Sequence, residues 1–245
     1  MEETAKLITA FGVLLGAVAW PVCILTITLI FRTEIRGGFQ RLPGLLDRMR
    51  KMKVAGIEAE LDEVANASAN VSSGEVTPLQ IEAAARITVK ADSHTDVLSE
   101  QLDRLCLEYD AIRRSMPAGS NRTEAMTRVL VKMRALAPTL VGRIQIYKGS
   151  GSSGSRLAAI AMMQMNPAVA DVEWLAKRFE HEQPFLFYHA ALALENIASN
   201  ELSDVERIRL LGVAQQGLQK VKSFSGTPDK QTVNVLQNLI SSISQ

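Results

Sequence analysis

Apolar positions along this chain follow two different rules. From Leu7 to Phe31 they are nearly continuous, and no charged residue interrupts 25 positions (LITAFGVLLGAVAWPVCILTITLIF). As a helix rising about 1.5 Å per residue, that run spans roughly 37 Å, long enough for one tilted pass through a hydrocarbon core of ~30 Å. Pro21 is compatible with such a span, since membrane helices accommodate proline. Ala17-Val-Ala19 has the outline of a cleavage box, but the start is acidic (Glu2, Glu3) and the apolar run continues well past the box. Both features oppose a cleaved signal peptide.

Further along, apolar residues recur every three or four positions. In LSEQLDRLCLEYDAIRRSM, the side chains Leu98, Leu102, Leu105, Tyr109, Ile112 and Met116 trace one helical stripe, ended by Pro117-Ala-Gly119. Asn121-Arg-Thr-Glu124 predicts a capping box for the next helix, whose stripe is Met126, Val129, Leu130, Met133 and Leu136, closed by Pro138. Two such helices joined by about five residues pack as a hairpin. After the Gly/Ser stretch, Arg156–Met165 is apolar nearly all round and is expected to sit deepest. Val172, Leu175 and Phe179 mark another stripe, and Pro184 opens a helix bearing Phe185, His189, Leu192 and Ile197. Ser203-Asp-Val-Glu206 is a second capping box, and Thr227-Pro228 is expected to cap the last helix.

The expected fold is therefore all-α: one N-terminal transmembrane helix, then either a cytoplasmic helical bundle or a short HEAT-like solenoid of helical pairs. The expected segments are 1–31 (tail and span), 32–77 (basic juxtamembrane stretch and linker), 78–148 (hairpin region) and 149–245 (HEAT-like domain). Lys53–Leu61 fits neither period: Ile57, Ala59 and Leu61 alternate, whereas Met49 and Met52 suit a helix. Residues 66–77 are small and polar and read as a flexible linker.

Charge sets the orientation. Residues 32–53 carry net +5 (Arg32, Arg36, Arg41, Arg48, Arg50, Lys51 and Lys53 against two acids), whereas only Lys6 precedes the span. Positive charge on the inner side places the N-terminus outside and the remainder in the cytoplasm. The same cluster suits anionic lipid headgroups. Over the whole chain the net charge is +1, which offers no field for nucleic acid. Aromatic residues make up 5% of the chain, and the two cysteines, Cys23 and Cys106, form no disulfide framework.

Candidate chemistry is sparse. Gly149-x-Gly151-x-x-Gly154, after the alternating Ile144, Ile146 and before a helix, has the outline of a dinucleotide-binding turn. No second strand follows it, so no parallel sheet can form, and the stretch reads as a linker into a helix. An isolated anion site at that helix start, near Arg156, is the residual option. No metal or catalytic constellation surrounds His181 or His189, and no cofactor, enzyme activity or small-molecule substrate is indicated. His189 reads as a hydrogen-bonded packing residue.

Three groups remain as sites. Gly12, Gly16 and Ala19 form a small-residue seam for self-association in the membrane. Arg113, Arg114 and Arg122 gather around one turn as an anion or partner contact, with Asp110 and Glu124 as competing internal partners. Trp174, Phe185, Phe187 and Tyr188 supply either core packing or a partner groove.

Tyr109–Thr123 (YDAIRRSMPAGSNRT) with Val131–Leu136 (VKMRAL) resembles a helical motif of bacterial proteins, and SRLAAIA at 155–161 with QPFLFYHAALAL at 183–194 resembles the HEAT-like module that follows it. The resemblance, over roughly 98–200, implies a regulatory or interaction unit joined to a membrane span or to signalling and peptidase domains, with some members resembling components of bacterial conflict and anti-phage systems. The expected function is a single-pass inner-membrane protein acting as scaffold, adaptor or sensor for another protein. The rival expectation is an effector that oligomerises through its span and perturbs the bilayer.

Overall fold

The three-and-four spacing is realised as helices throughout a computed structural model, which describes residues 56–68, 74–91, 95–224 and 229–244, with Trp20, Pro21 and Thr26. Contacts divide the chain into a unit of residues 1–55 and a unit of residues 56–245. In the first, Trp20, Pro21 and Thr26 are helical; the rest of the expected span, including Gly12, Gly16 and Ala19, lies outside the described residues. Among the described residues, no helix is long and apolar enough to cross a membrane.

The second unit is all-helical among its described residues. Residues 56–68 form helix α1, which decides the ambiguous stretch: Ile57, Leu61, Val64, Ala65 and Ser68 are buried at helical spacing, while Ala59 is exposed. Helix α2 (Pro78–Ala91) starts with a first-turn proline behind Thr77, whose Oγ1 accepts from the Gln80 amide at 3.3 Å. Residues 66–77 are thus not a free linker where described, since Ser68 is buried and Gly74 and Glu75 are tied to the core as set out below. Ion pairs fasten α1 to its neighbours: Arg86–Glu60 at 2.7 Å and Lys132–Asp62 at 2.5 Å.

Helices α3 (Thr95–Ser115) and α4 (Ser120–Leu140) pack together as the hairpin that their stripes require. Pro138 does not close α4, which runs two residues further before tightening into a 3-10 turn at Val141–Arg143. The alternation at 144–148 is not a strand. It forms the short helix α5 (Ile144–Lys148), with Ile144 and Tyr147 inward and Ile146 left in solvent.

Helix α6 (Ser153–Met165) is the centre of the unit. Leu157 through Gln164 are buried without a break, and the helix packs on α3, α4, α5 and the later helices. A 3-10 turn (Pro167–Val169) and the short helices α7 (Val172–Ala176) and α8 (Arg178–His181) lead to α9 (Pro184–Ala198). Helix α10 (Asp204–Ser223) carries the expected capping box at Ser203 and Glu206. The last helix, α11 (Lys230–Ile243), is capped by Asp229 rather than by Thr227-Pro228, which lie outside the described residues.

Candidate functional site

The sequence left the start of α6 open to an anion and read the start of α4 as self-capped, and the structure shows the opposite at both. At α6 the site is already filled from within. The Asp110 carboxylate of α3 accepts from the Gly154 amide at 2.9 Å and from the Ser152 hydroxyl at 2.6 Å, while Ser152 Oγ accepts from the Ser155 amide. A carboxylate at a helix N-terminus satisfies the free amides and the dipole together. Gly154 is required for a second reason: a Cβ there would fall on the Cys106 carbonyl. Arg156, the other half of the residual anion site, pairs with the buried carboxylate of Glu182, which Arg178 also contacts at 3.2 Å. Gly154 therefore serves a close crossing of α6 over α3, and the donors at that start are already engaged from within. Cys106 at that crossing is inert, its thiol pushed up to about 12 by burial.

At α4 the reverse holds. The predicted capping box is absent, because the helix starts two residues early. Gly119 occupies the cap position without a side chain, no acid lies in the first turn, and Glu124 instead pairs with Arg128 at 3.2 Å. Beside this bare start lies a cavity of about 580 Å³, within the usual range for small-molecule pockets. Its lining brings together residues the sequence keeps far apart: Arg113, Arg122 and Arg128 on one side, Phe185, Tyr188 and His189 of α9 on another, with Ser68 and Gly74 from the N-terminal elements.

Among the described residues, Arg113 and Arg122 face this cavity without acid partners of their own, whereas Arg128 pairs with Glu124. Asp110 is committed to α6 and Glu124 to Arg128, so the two internal competitors are both occupied. Among the described residues Arg113 and Arg122 form no ion pair; Arg122 reaches only the Met116 carbonyl, at 3.4 Å. Asp229 also lines the cavity, but its oxygens accept from the Gln231 amide and the Thr232 hydroxyl.

Beneath the lining sits a buried cation. Arg134 is 2% exposed and has no carboxylate partner among the described residues. Nε and Nη2 donate to Gln164 Oε1 (2.9 and 2.7 Å), Nη2 also to the Gly74 carbonyl (2.5 Å), and Nη1 to Glu75 O and Gln80 Oε1 (both 3.1 Å). Every guanidinium donor is thereby matched, yet all the acceptors are neutral. Burial lowers the Arg134 pKa to about 10. Gln164 passes the network on to the His189 carbonyl at 2.8 Å, and Gln80 to Ser68 Oγ at 3.4 Å. The cavity lining is thus held in place by an unneutralised positive charge.

His189 is 1% exposed, and its ring packs edge-on to Phe185 at 4.5 Å and to Tyr188 at 5.1 Å. The expectation of a hydrogen-bonded packing residue holds only for the packing, since Nδ1 has no hydrogen-bond partner. Burial, and then the nearby Arg134 charge, hold the imidazole well below its usual pKa, so it is neutral at pH 7. Tyr188 covers Gly74, whose positive φ of 70° and tight contact with the ring both call for glycine.

The other candidates lie elsewhere. Arg114 is exposed and outside the cavity. Trp174 lies under the Arg178 guanidinium, 4.3 Å from its ring centre, and donates from Nε1 to the Lys148 carbonyl. Phe187 is core, stacked on Phe224 at 5.2 Å. The four aromatic residues therefore do not form one groove; Phe185 and Tyr188 do share a wall. Arg134 and Arg128 escaped the sequence reading, although an arginine inside the apolar VLVKMRALA stripe is a legible sign of a buried cation.

A second cavity, of about 680 Å³ between the Pro167–Val169 turn and α10, has its charged lining engaged internally. Asp171 pairs with Lys148, Glu173 with Arg209, and Glu206 caps α10. Among the described residues no cluster of His, Cys, Asp and Glu is placed to hold a metal ion. No protein-family model, curated protein or solved structure matches the chain.

Proposed function

We propose that this chain is a membrane-anchored interaction module, a scaffold, adaptor or sensor of a bacterial defence or signalling system, whose cytoplasmic HEAT-like helical unit recognises its partner at the α4–α9 cavity. The observation that carries the recognition part is the convergence of Arg113, Arg122, Phe185 and Tyr188 on one cavity whose nearest acids are occupied elsewhere. Cationic forks beside a half-exposed aromatic wall supply both orientation and contact area. The anchoring part rests on the uncharged run 7–31 and the basic cluster that follows it.

Two experiments test the halves separately. A C-terminal tag on the full chain is expected to fractionate with membranes and to resist protease added to intact cells; a freely soluble chain contradicts the anchor. In a cell-based assay of the system's output, the double variant Phe185→Ala/Tyr188→Ala is expected to lose function while Gly12→Leu/Gly16→Leu retains it. The opposite pattern, with toxicity on expression that the Gly12/Gly16 variant abolishes, supports instead an effector acting through an assembled span.

A further inference from the structure

Resting on that reading, we infer that the α4–α9 cavity is a binding site for a phosphate ester: a small molecule, or a lipid headgroup, carrying a terminal phosphate on a compact apolar or ring-bearing body. Four independent features converge on it. Arg113 and Arg122 line the cavity without acid partners among the described residues. The first turn of the 21-residue α4, contributing Ser120 and Thr123 to the lining, has neither a side-chain cap nor an acid. His189, almost wholly buried in the wall, leaves Nδ1 without a partner. Arg134 lies beneath with only neutral acceptors around its charge.

The chemistry selects phosphate over its competitors. The opposing charges in the lining are Glu124, which is paired, and Asp229, which caps α11, so the net field is positive and excludes a cation. Two guanidinium forks and a set of first-turn amides offer more donors than the two oxygens of a carboxylate can use, whereas a phosphate ester brings three oxygens and nearly two charges. A volume of about 580 Å³ far exceeds a bare phosphate ion, and Phe185 and Tyr188 give the remainder of the ligand an apolar wall. Because Ser68 and Gly74 also line the cavity, a bound ligand touches the elements leading back toward the N-terminal unit as well as the central helices.

The probe is phenyl phosphate, titrated by calorimetry into the full chain in neutral detergent micelles, with benzoate as the carboxylate comparison. Saturable binding is expected, weakened roughly tenfold or more by Arg113→Gln or Arg122→Gln and unchanged by Arg114→Gln, which lies outside the cavity. If phenyl phosphate binds poorly, the same titration with phosphatidic acid in mixed micelles identifies a lipid headgroup as the source of the phosphate, provided Arg113→Gln still weakens it tenfold. Absence of binding in both arms, equal binding of benzoate, or wild-type affinity in both cavity arginine variants overturns the assignment. Such a failure leaves the anchoring and partner-binding tests standing; conversely, phosphate binding by a soluble chain sinks the anchor and not the site.

Discussion

Helices α4 and α6 both begin with small polar residues behind a glycine, yet one start is sealed and the other is bare. At α6, Asp110 arrives from 44 residues away to take the Gly154 amide, and Gly154 lets the two backbones meet. At α4, the cap position holds a glycine, and the acid at the fifth position of the helix, Glu124, turns to Arg128 instead of back to the start. A helix start binds an external anion only when nothing inside the protein has already done so. Local sequence therefore ranks such sites poorly: the glycine-rich stretch advertised itself and is closed, whereas the turn that looked self-capped is open.

That contrast can be broken at several points. The largest effect is expected from Gly154→Ala. Alanine ordinarily stabilises a helix interior relative to glycine; here its methyl group meets the Cys106 backbone, and destabilisation of about 3 kcal/mol is expected in urea unfolding. A stabilised variant would show that the crossing is looser than described. Asp110→Ala should lower stability by about 1 to 2 kcal/mol through the lost cap. It should also open α6 to anions, so that added phosphate raises the melting temperature of Asp110→Ala/Arg113→Gln more than that of Arg113→Gln alone.

His189 sharpens the other side. Its pKa is depressed on folding, so the unfolded chain takes up a proton near pH 6.5 while the folded chain does not. Its contribution is therefore fully present above about pH 6.5 and is lost as the pH falls below it, by up to about 1.4 kcal/mol per pH unit. Comparing unfolding free energies at pH 7 and 5.5, His189→Leu is expected to show a shallower acid loss than wild type; identical slopes would mean that the imidazole is solvated. The smallest effect belongs to Asn121→Asp, which places an acid in the first turn of α4. It should raise stability by about 0.3 to 1 kcal/mol and, by occupying the bare start, weaken phenyl phosphate binding. Stronger binding would contradict the role given to those amides.

What was legible in the sequence follows the range of the interaction that determines it. Leu98, Leu102, Leu105 and Tyr109 of α3, the stripe of α4, the all-round apolar run of α6 and the Ser203–Glu206 capping box depend on neighbours a few residues apart, and they are found as read. Lys53–Leu61 stayed ambiguous because Ala59, small and apolar, imitates alternation while lying exposed. Residues 144–148 misled because Ile146 is apolar and 68% exposed, so the alternation reflects no buried face. Residues 66–77 looked like a linker because their composition is polar, and nothing local signals that Arg134, some 60 positions on, holds the Gly74 carbonyl. The cavity was half visible: Arg113, Arg122, Phe185 and Tyr188 stood out singly, but their meeting depends on how α4 and α9 lie across the core. Phe187, of the same type as Phe185 and two residues away, faces the opposite side of the same helix.

The contrast between the two helix starts is tested most directly by amide chemical-shift mapping of the full chain in neutral micelles during addition of phenyl phosphate. The amides of Ser120, Asn121, Arg122 and Thr123 and the resonances of Phe185 and Tyr188 are expected to move together and to saturate, while those of Ser153, Gly154 and Ser155 stay still. Movement at 153–155 with a silent 120–123 would contradict the central claim that α4, and not the glycine-rich turn, is the open anion site of this protein.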